Sequence, residues 1–205
     1  MASKSQHATA EQIYFELTSH VALSSDPLFN LLRTTFGEDQ VRRQFDIGSR
    51  KNDAFDKGQL YSPRLDYAVG PYNLDRNKEE NVGRINSAFR DFQPMIQQLV
   101  EEGNGNFAAI SHYNSNPRMF IAIEMEDKTS RKHRLGGIIN ASALGKVGIL
   151  VGANAEVYWS VFKIMSYLEY LRTYKSVILA PNVIAINRSR FVRVLRKFPW
   201  PAKTR

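Results

Sequence analysis

Two glutamates one residue apart close an apolar run, Phe120-Ile121-Ala122-Ile123-Glu124-Met125-Glu126-Asp127-Lys128, and an aspartate, Asp66, stands in a second apolar stretch from Leu65 to Val69. Hydrolysis of a phosphodiester at neutral pH needs charge neutralised on the phosphorus centre and an activated water. A Mg²⁺ ion held by two or three carboxylates supplies both. Side chains two positions apart on a strand share a face, so Glu124, Glu126 and, for as long as the strand persists, Lys128 project together, while Ile123 and Met125 turn to the face that must be buried. The pleat therefore places the acids, and their spacing is informative.

The elements that must carry them can be read from periodicity and punctuation. Ser62-Pro63 leads into a short strand from Leu65, with Asp66 near its beginning, and Gly70-Pro71 is expected to stop it. Arg118–Asp127 reads as a strand, Thr129 or Ser130 caps a helix reaching about Leu144, and Lys146–Val151 is the next buried strand. Lys78–Glu102 has helical spacing interrupted by Pro94, giving one kinked helix or two short ones. Ahead of these, Gln12–Leu23 and Leu28–Phe36 are helical, the second after a Ser-Asp-Pro start signal, and Phe45–Gln59 reads as a loop or weak hairpin. Tyr158–Tyr174 is an aromatic-rich helix, Ser176–Ile186 is mostly strand despite Pro181, and Arg188–Lys197 is a short basic helix. Alternating strands and helices from Asp66 onward predict an α/β fold with a mixed sheet covered by helices.

Composition sets the outer limits. With 205 residues, 43% hydrophobic and 23% charged, the chain suits one packed domain, residues 1–205, with a helical N-terminal region and a basic C-terminal segment. The net charge of +8 favours approach to a polyanion. The absence of cysteine excludes disulfides, thiolate catalysis and thiol-ligated metal sites. No apolar run reaches the roughly 18 residues of a membrane span, and the polar start does not read as a secretion signal, so a cytoplasmic protein without a membrane partner is expected.

An acid on one strand, then an acid-x-lysine on the next strand, then a helix: over Ser62–Val151 these residues resemble the PD-(D/E)xK, or restriction-endonuclease-like, nuclease superfamily. The resemblance implies a restriction-endonuclease-like mixed central sheet flanked by helices. It also implies catalysis by Asp66, Glu124, Glu126 and Lys128, with Asp66 and Glu124 as ligands of Mg²⁺, for which Mn²⁺ can substitute. Two alignments stay open. Glu126-Asp127-Lys128 is a literal E-x-K, whereas Glu124-Met125-Glu126 resembles the variant in which a second glutamate replaces the lysine. The second is preferred because Glu124 directly follows the apolar strand core.

The helix after the acids opens with Arg131, Lys132, His133 and Arg134, cations that oppose the helix dipole but suit a bound phosphate. Together with Asn140 further along, they are the expected nucleic-acid contacts. Gly136-Gly137 inside this helix suggests close packing on the sheet. Tyr158, Trp159, Phe162, Tyr167, Tyr170 and Tyr174 have helical spacing, which favours core packing or a dimer face over base stacking. Arg188, Arg190, Arg193, Arg196 and Lys197 give the tail a basic face suited to a DNA backbone. The expectation is a Mg²⁺-dependent DNA endonuclease, of type II restriction character, acting as a homodimer. Its rivals are an inactive nucleic-acid-binding module and a subunit of a larger assembly.

Overall fold

Asp26 begins the first helix as the start signal implies: its side chain accepts from Phe29 N at 3.0 Å, and Pro27 opens α1 (Pro27–Phe36), where a missing N–H costs nothing. The computed structural model describes residues 26–46, 63–74, 79–127, 130–175 and 179–198. The expected helix at Gln12–Leu23, most of the Phe45–Gln59 loop, and Lys128 lie outside the described residues.

The strands are β1 (Val41–Asp46), β2 (Arg64–Tyr72), β3 (Met119–Glu126), β4 (Gly145–Gly152) and β5 (Val183–Asn187), hydrogen-bonded in the order β1-β2-β3-β4-β5. The pairs β1–β2 and β2–β3 are antiparallel, and β3–β4 and β4–β5 are parallel. The remaining helices are α2 (Glu79–Asp91), α3 (Gln93–Glu102), α4 (Phe107–His112), α5 (Arg131–Leu144), α6 (Ala155–Lys175) and α7 (Arg188–Lys197). The sheet is thus mixed and helices flank it, an α/β architecture.

Each face of the sheet carries its own apolar layer. Ile121, Ile123 and Met125 of β3 pack with α1, α2, α3 and α7 through residues such as Leu32, Ile85, Ile96 and Phe191. Ala122 and Leu150 point the other way, under Ile138 and Ala141 of α5 and Val161 and Leu168 of α6. The parallel pairs require crossovers, and α5 and α6 supply them. Gly148 lets α5 settle closely on β4, since a Cβ there would lie 3.0 Å from the Ala141 backbone and 2.9 Å from Val183 Cγ2.

Several boundaries depart from expectation for local reasons. β1 is a strand where only Val41 and Phe45 are apolar and Arg42, Arg43 and Gln44 between them mask the signal: Arg43 is buried beside Asp26, with Nε 3.4 Å from Oδ2, and Arg42 lies over the Tyr72 ring at 4.7 Å. β2 continues through the cis Gly70–Pro71 bond to Tyr72 instead of stopping. Pro94 falls in the first turn of α3, so Lys78–Glu102 resolves into two helices. β5 starts only at Val183, with Pro181 in the preceding turn. The short α4 has too few turns to show periodicity; Asn106 caps it by accepting from Ala109 N at 3.0 Å.

A buried carboxylate cleft as the candidate functional site

Register brings the acids together. β2 and β3 pair Tyr67 with Ile123 and Ala68 with Ala122, so the next pair along is Asp66 with Glu124. β1 and β2 pair Arg43 with Tyr67 and Phe45 with Leu65, which sets Gln44 opposite Asp66. Gln44, Asp66 and Glu124 thereby form one row across three strands, at the spacing where cross-strand side chains interact.

Hydrogen bonds hold the row. Asp66 Oδ2 accepts from Met125 N at 2.7 Å, and Oδ1 accepts from Gln44 Nε2 at 3.3 Å. Gln44 does this from a left-handed backbone, φ 49°, sparsely populated for a non-glycine residue. Glu124 lies within hydrogen-bonding reach of Asp66 and of the Asn140 side chain on α5. Glu126, two residues further along β3, turns beneath Gly137 of α5: a Cβ at Gly137 would sit 2.9 Å from its Oε1. The expected close packing at the glycine pair is present at Gly137; Gly136 faces open space.

Burial dominates the electrostatics. Glu124 and Glu126 are 9% and 8% exposed. Desolvation pushes Glu124 up to about 9, with the charges of Asp66 and Glu126 adding to it. Asp66 is pushed up to about 6 and Glu126 to about 7, again chiefly by burial, and for Glu126 the Arg134 guanidinium acts in the opposite sense. Three carboxyl groups at such quarters must share protons or a cation.

The cleft they floor has a volume of about 320 Å³, and Lys132, His133 and Arg64 also line it. A larger one, about 440 Å³, is lined by Gly70 and Pro71 at the opposite end of β2 and holds none of these acids. As a donor set the three carboxyls are all oxygen and suit a hard divalent ion. They are nevertheless spread out: Asp66 and Glu124 lie side by side across two strands, and Glu126 is displaced roughly 7 Å along β3 from Glu124. Among the described residues no three His, Cys, Asp or Glu side chains gather into a ready metal cluster.

The expected contacts divide. Arg131, Lys132 and His133 are exposed on the first turn of α5, and Asn140 reaches Glu124. Arg134 does not face outward: it is 1% exposed, donates to the Ser160 hydroxyl of α6 and sits by Glu126, because its place in the helical repeat points it at the sheet. The basic tail is on the wrong side for this cleft. α7 packs on the Ile123 and Met125 face, and Arg190 and Arg193 bind the Glu102 carbonyl and carboxylate at the end of α3. Core packing of the aromatic helix is also corrected. Tyr158 is buried, but Trp159, Tyr167, Tyr170 and Tyr174 are 55%, 59%, 49% and 70% exposed, because α6 buries a narrow stripe through Val157, Val161 and Leu168. Gln44 and Arg64 were not foreseen. Arg64 lies two positions before Asp66 and so on its face, a signal the strand period contains, whereas Gln44 is one of several polar residues in an unrecognised strand.

The sheet and cleft define an α/β protein with a buried acidic site roofed by a cationic helix start. Comparison with protein-family models, curated proteins and solved structures returns no match. Among the described residues no helix is long and apolar enough to cross a membrane.

Proposed function

We propose that this chain is a Mg²⁺-dependent DNA endonuclease on a restriction-endonuclease-like core, a relative of the PD-(D/E)xK nucleases. The observation that carries the reading is the convergence of Asp66, Glu124 and Glu126 on one sheet face beneath Lys132 and His133. Asp66 and Glu124 would hold the ion, with Mn²⁺ as an alternative occupant. When bound, the ion supplies charge neutralisation on the scissile phosphate and lowers the pKa of water. Glu126, held against Gly137 and pushed up to about 7 by burial against the pull of the Arg134 guanidinium, accepts the proton of the attacking water. Asn140 and Gln44 orient the carboxyls, and Arg131, Lys132 and His133 take the phosphates flanking the cut. Two copies would bring one cleft to each strand of a duplex, as a type II restriction enzyme does.

One observation favours a second reading, a DNA-binding module without turnover: the three acids are not gathered into a closed ligand cluster. Incubation of the purified chain with supercoiled plasmid and with single-stranded DNA, in Mg²⁺, Mn²⁺ or EDTA, separates the two. Metal-dependent cleavage that Glu124→Gln abolishes supports the nuclease. Retained DNA binding without cleavage in either metal selects the binding module.

A further inference from the structure

Helix α6 is apolar on two sides, and only one of them faces the sheet. Val157, Val161 and Leu168 are buried, while Trp159, Tyr167, Tyr170 and Tyr174 stand 49–70% exposed on the outer side. An aromatic side chain buries about 150–250 Å² when covered, so these four present roughly 400 Å². That is already at the size of the largest apolar patches on monomers, about 300–600 Å², which are commonly interaction sites.

We infer that this face docks a second copy of the same chain, with the two α6 helices antiparallel about a twofold axis near residue 165. The outer seam runs Glu156, Ser160, Lys163, Tyr167, Tyr170, Tyr174, a 4-3-4-3-4 spacing that reads the same in both directions, with Ser160 half-buried at its edge where it accepts from Arg134. Alternating steps of three and four are what keep a helical seam facing a partner helix. In an antiparallel pair Lys163 meets the partner's Tyr167, a cation over a ring. Ser160 and its neighbour Trp159 meet the partner's Tyr170 and its neighbour Leu171. Glu156 meets the partner's Tyr174, whose hydroxyl donates to the carboxylate. Each charged group on the seam thus faces a phenol, and no like charges oppose. An isologous contact requires this self-complementarity.

Base stacking is the competing use of exposed aromatics, but a stacking groove needs cations to track the phosphates. Here Lys163 is accompanied by Glu156, and Arg172 is tied to Glu169 with Nε 2.9 Å from Oε2. The patch falls short of the ~800 Å² per partner of standard interfaces, so the dimer is reversible.

Sedimentation analysis of the full chain from about 1 to 200 µM is expected to show a mass rising from one chain to two, and Tyr167→Glu to hold it at one. Tyr167 is 59% exposed, so an unchanged circular-dichroism spectrum and melting temperature should accompany the loss. Because the chain has no cysteine, orientation can be read by oxidising a mixture of Lys163→Cys and Tyr167→Cys proteins. Heterodisulfides should dominate over homodisulfides. A monomer throughout the range, a dimer indifferent to Tyr167→Glu, or dominant 163–163 and 167–167 links would overturn the inference. A monomer whose single-stranded DNA affinity falls with Trp159→Ala would overturn it in favour of base stacking.

Discussion

Among single residues, the carboxyls of the cleft make the sharpest claims. Asp66, Glu126 and Glu124 each hold a proton more tightly in the fold than in the unfolded chain, and the buried Asp26 is raised in the same direction by burial. The sign follows directly. Their contribution to stability is complete below the ordinary carboxylate range, near pH 4, and is lost as pH climbs through about 6, 7 and 9. In EDTA the melting temperature should therefore fall between pH 5 and pH 9. Mg²⁺ should restore it chiefly at the upper end, by linkage to the ionised acids. Glu124→Gln, neutral at every pH, should melt several degrees higher than the parent at pH 8.5 in EDTA, about 2–4 °C for each kcal/mol, and should lose the Mg²⁺ increment. A pH-independent melt would place the acids in water. Under the proposed nuclease reading, activity tests the third position: with Glu-x-Glu in use, Glu126→Gln should nearly abolish Mg²⁺-dependent cleavage and Lys128→Ala should lose far less. The inverse ranking selects Glu-x-Lys.

At the scale of elements, the adjacent glycines of α5 separate helix propensity from site geometry. Gly136→Ala enters open space and should stabilise by up to about 1 kcal/mol. Gly137→Ala gains the same propensity but pushes against the end of the Glu126 side chain, so the fold should survive while Mg²⁺-dependent cleavage falls at least tenfold. Equal activity of the two alanine variants in a cleavage assay would remove Glu126 from the mechanism. Much of this element was legible from sequence: the acids at the end of an apolar strand, the helix behind them, and close packing at one of the two glycines, Gly137. β3 could be read because apolar residues run unbroken from Met119 to Ile123, and α5 and α7 because their punctuation is local. β1 could not. Its buried Arg43 is paired with Asp26 and its Gln44 donates a hydrogen bond to Asp66, partners that only the assembled sheet supplies. For the aromatic helix the core-packing half of the expectation failed for the complementary reason, since spacing reports that a face is apolar and not what covers it.

For the whole molecule, the net charge of +8 matters less than where it lies. The exposed Arg131 and Lys132 flank the acid cleft, whereas α7 is across the sheet, with Arg190 and Arg193 committed to Glu102. DNA binding without metal should weaken with salt, and each of Arg131→Ala and Lys132→Ala should lower the slope of log K against log salt by about one. Arg196→Ala, on the far side, should leave the slope unchanged in the same titration. The row Gln44–Asp66–Glu124 has one more consequence, for the order of events after synthesis. Gln44 and Asp66 are 22 residues apart, and Asp66 and Met125 are 59 apart. Pairing strands across that much sequence is slow compared with forming helices. During refolding from denaturant, helical signal should therefore return well before cleavage, and chains that have collapsed without pairing β2 to β3 will carry no active centre. Any nuclease activity would thus be withheld until the sheet is complete, a safeguard against indiscriminate cutting by half-folded chains.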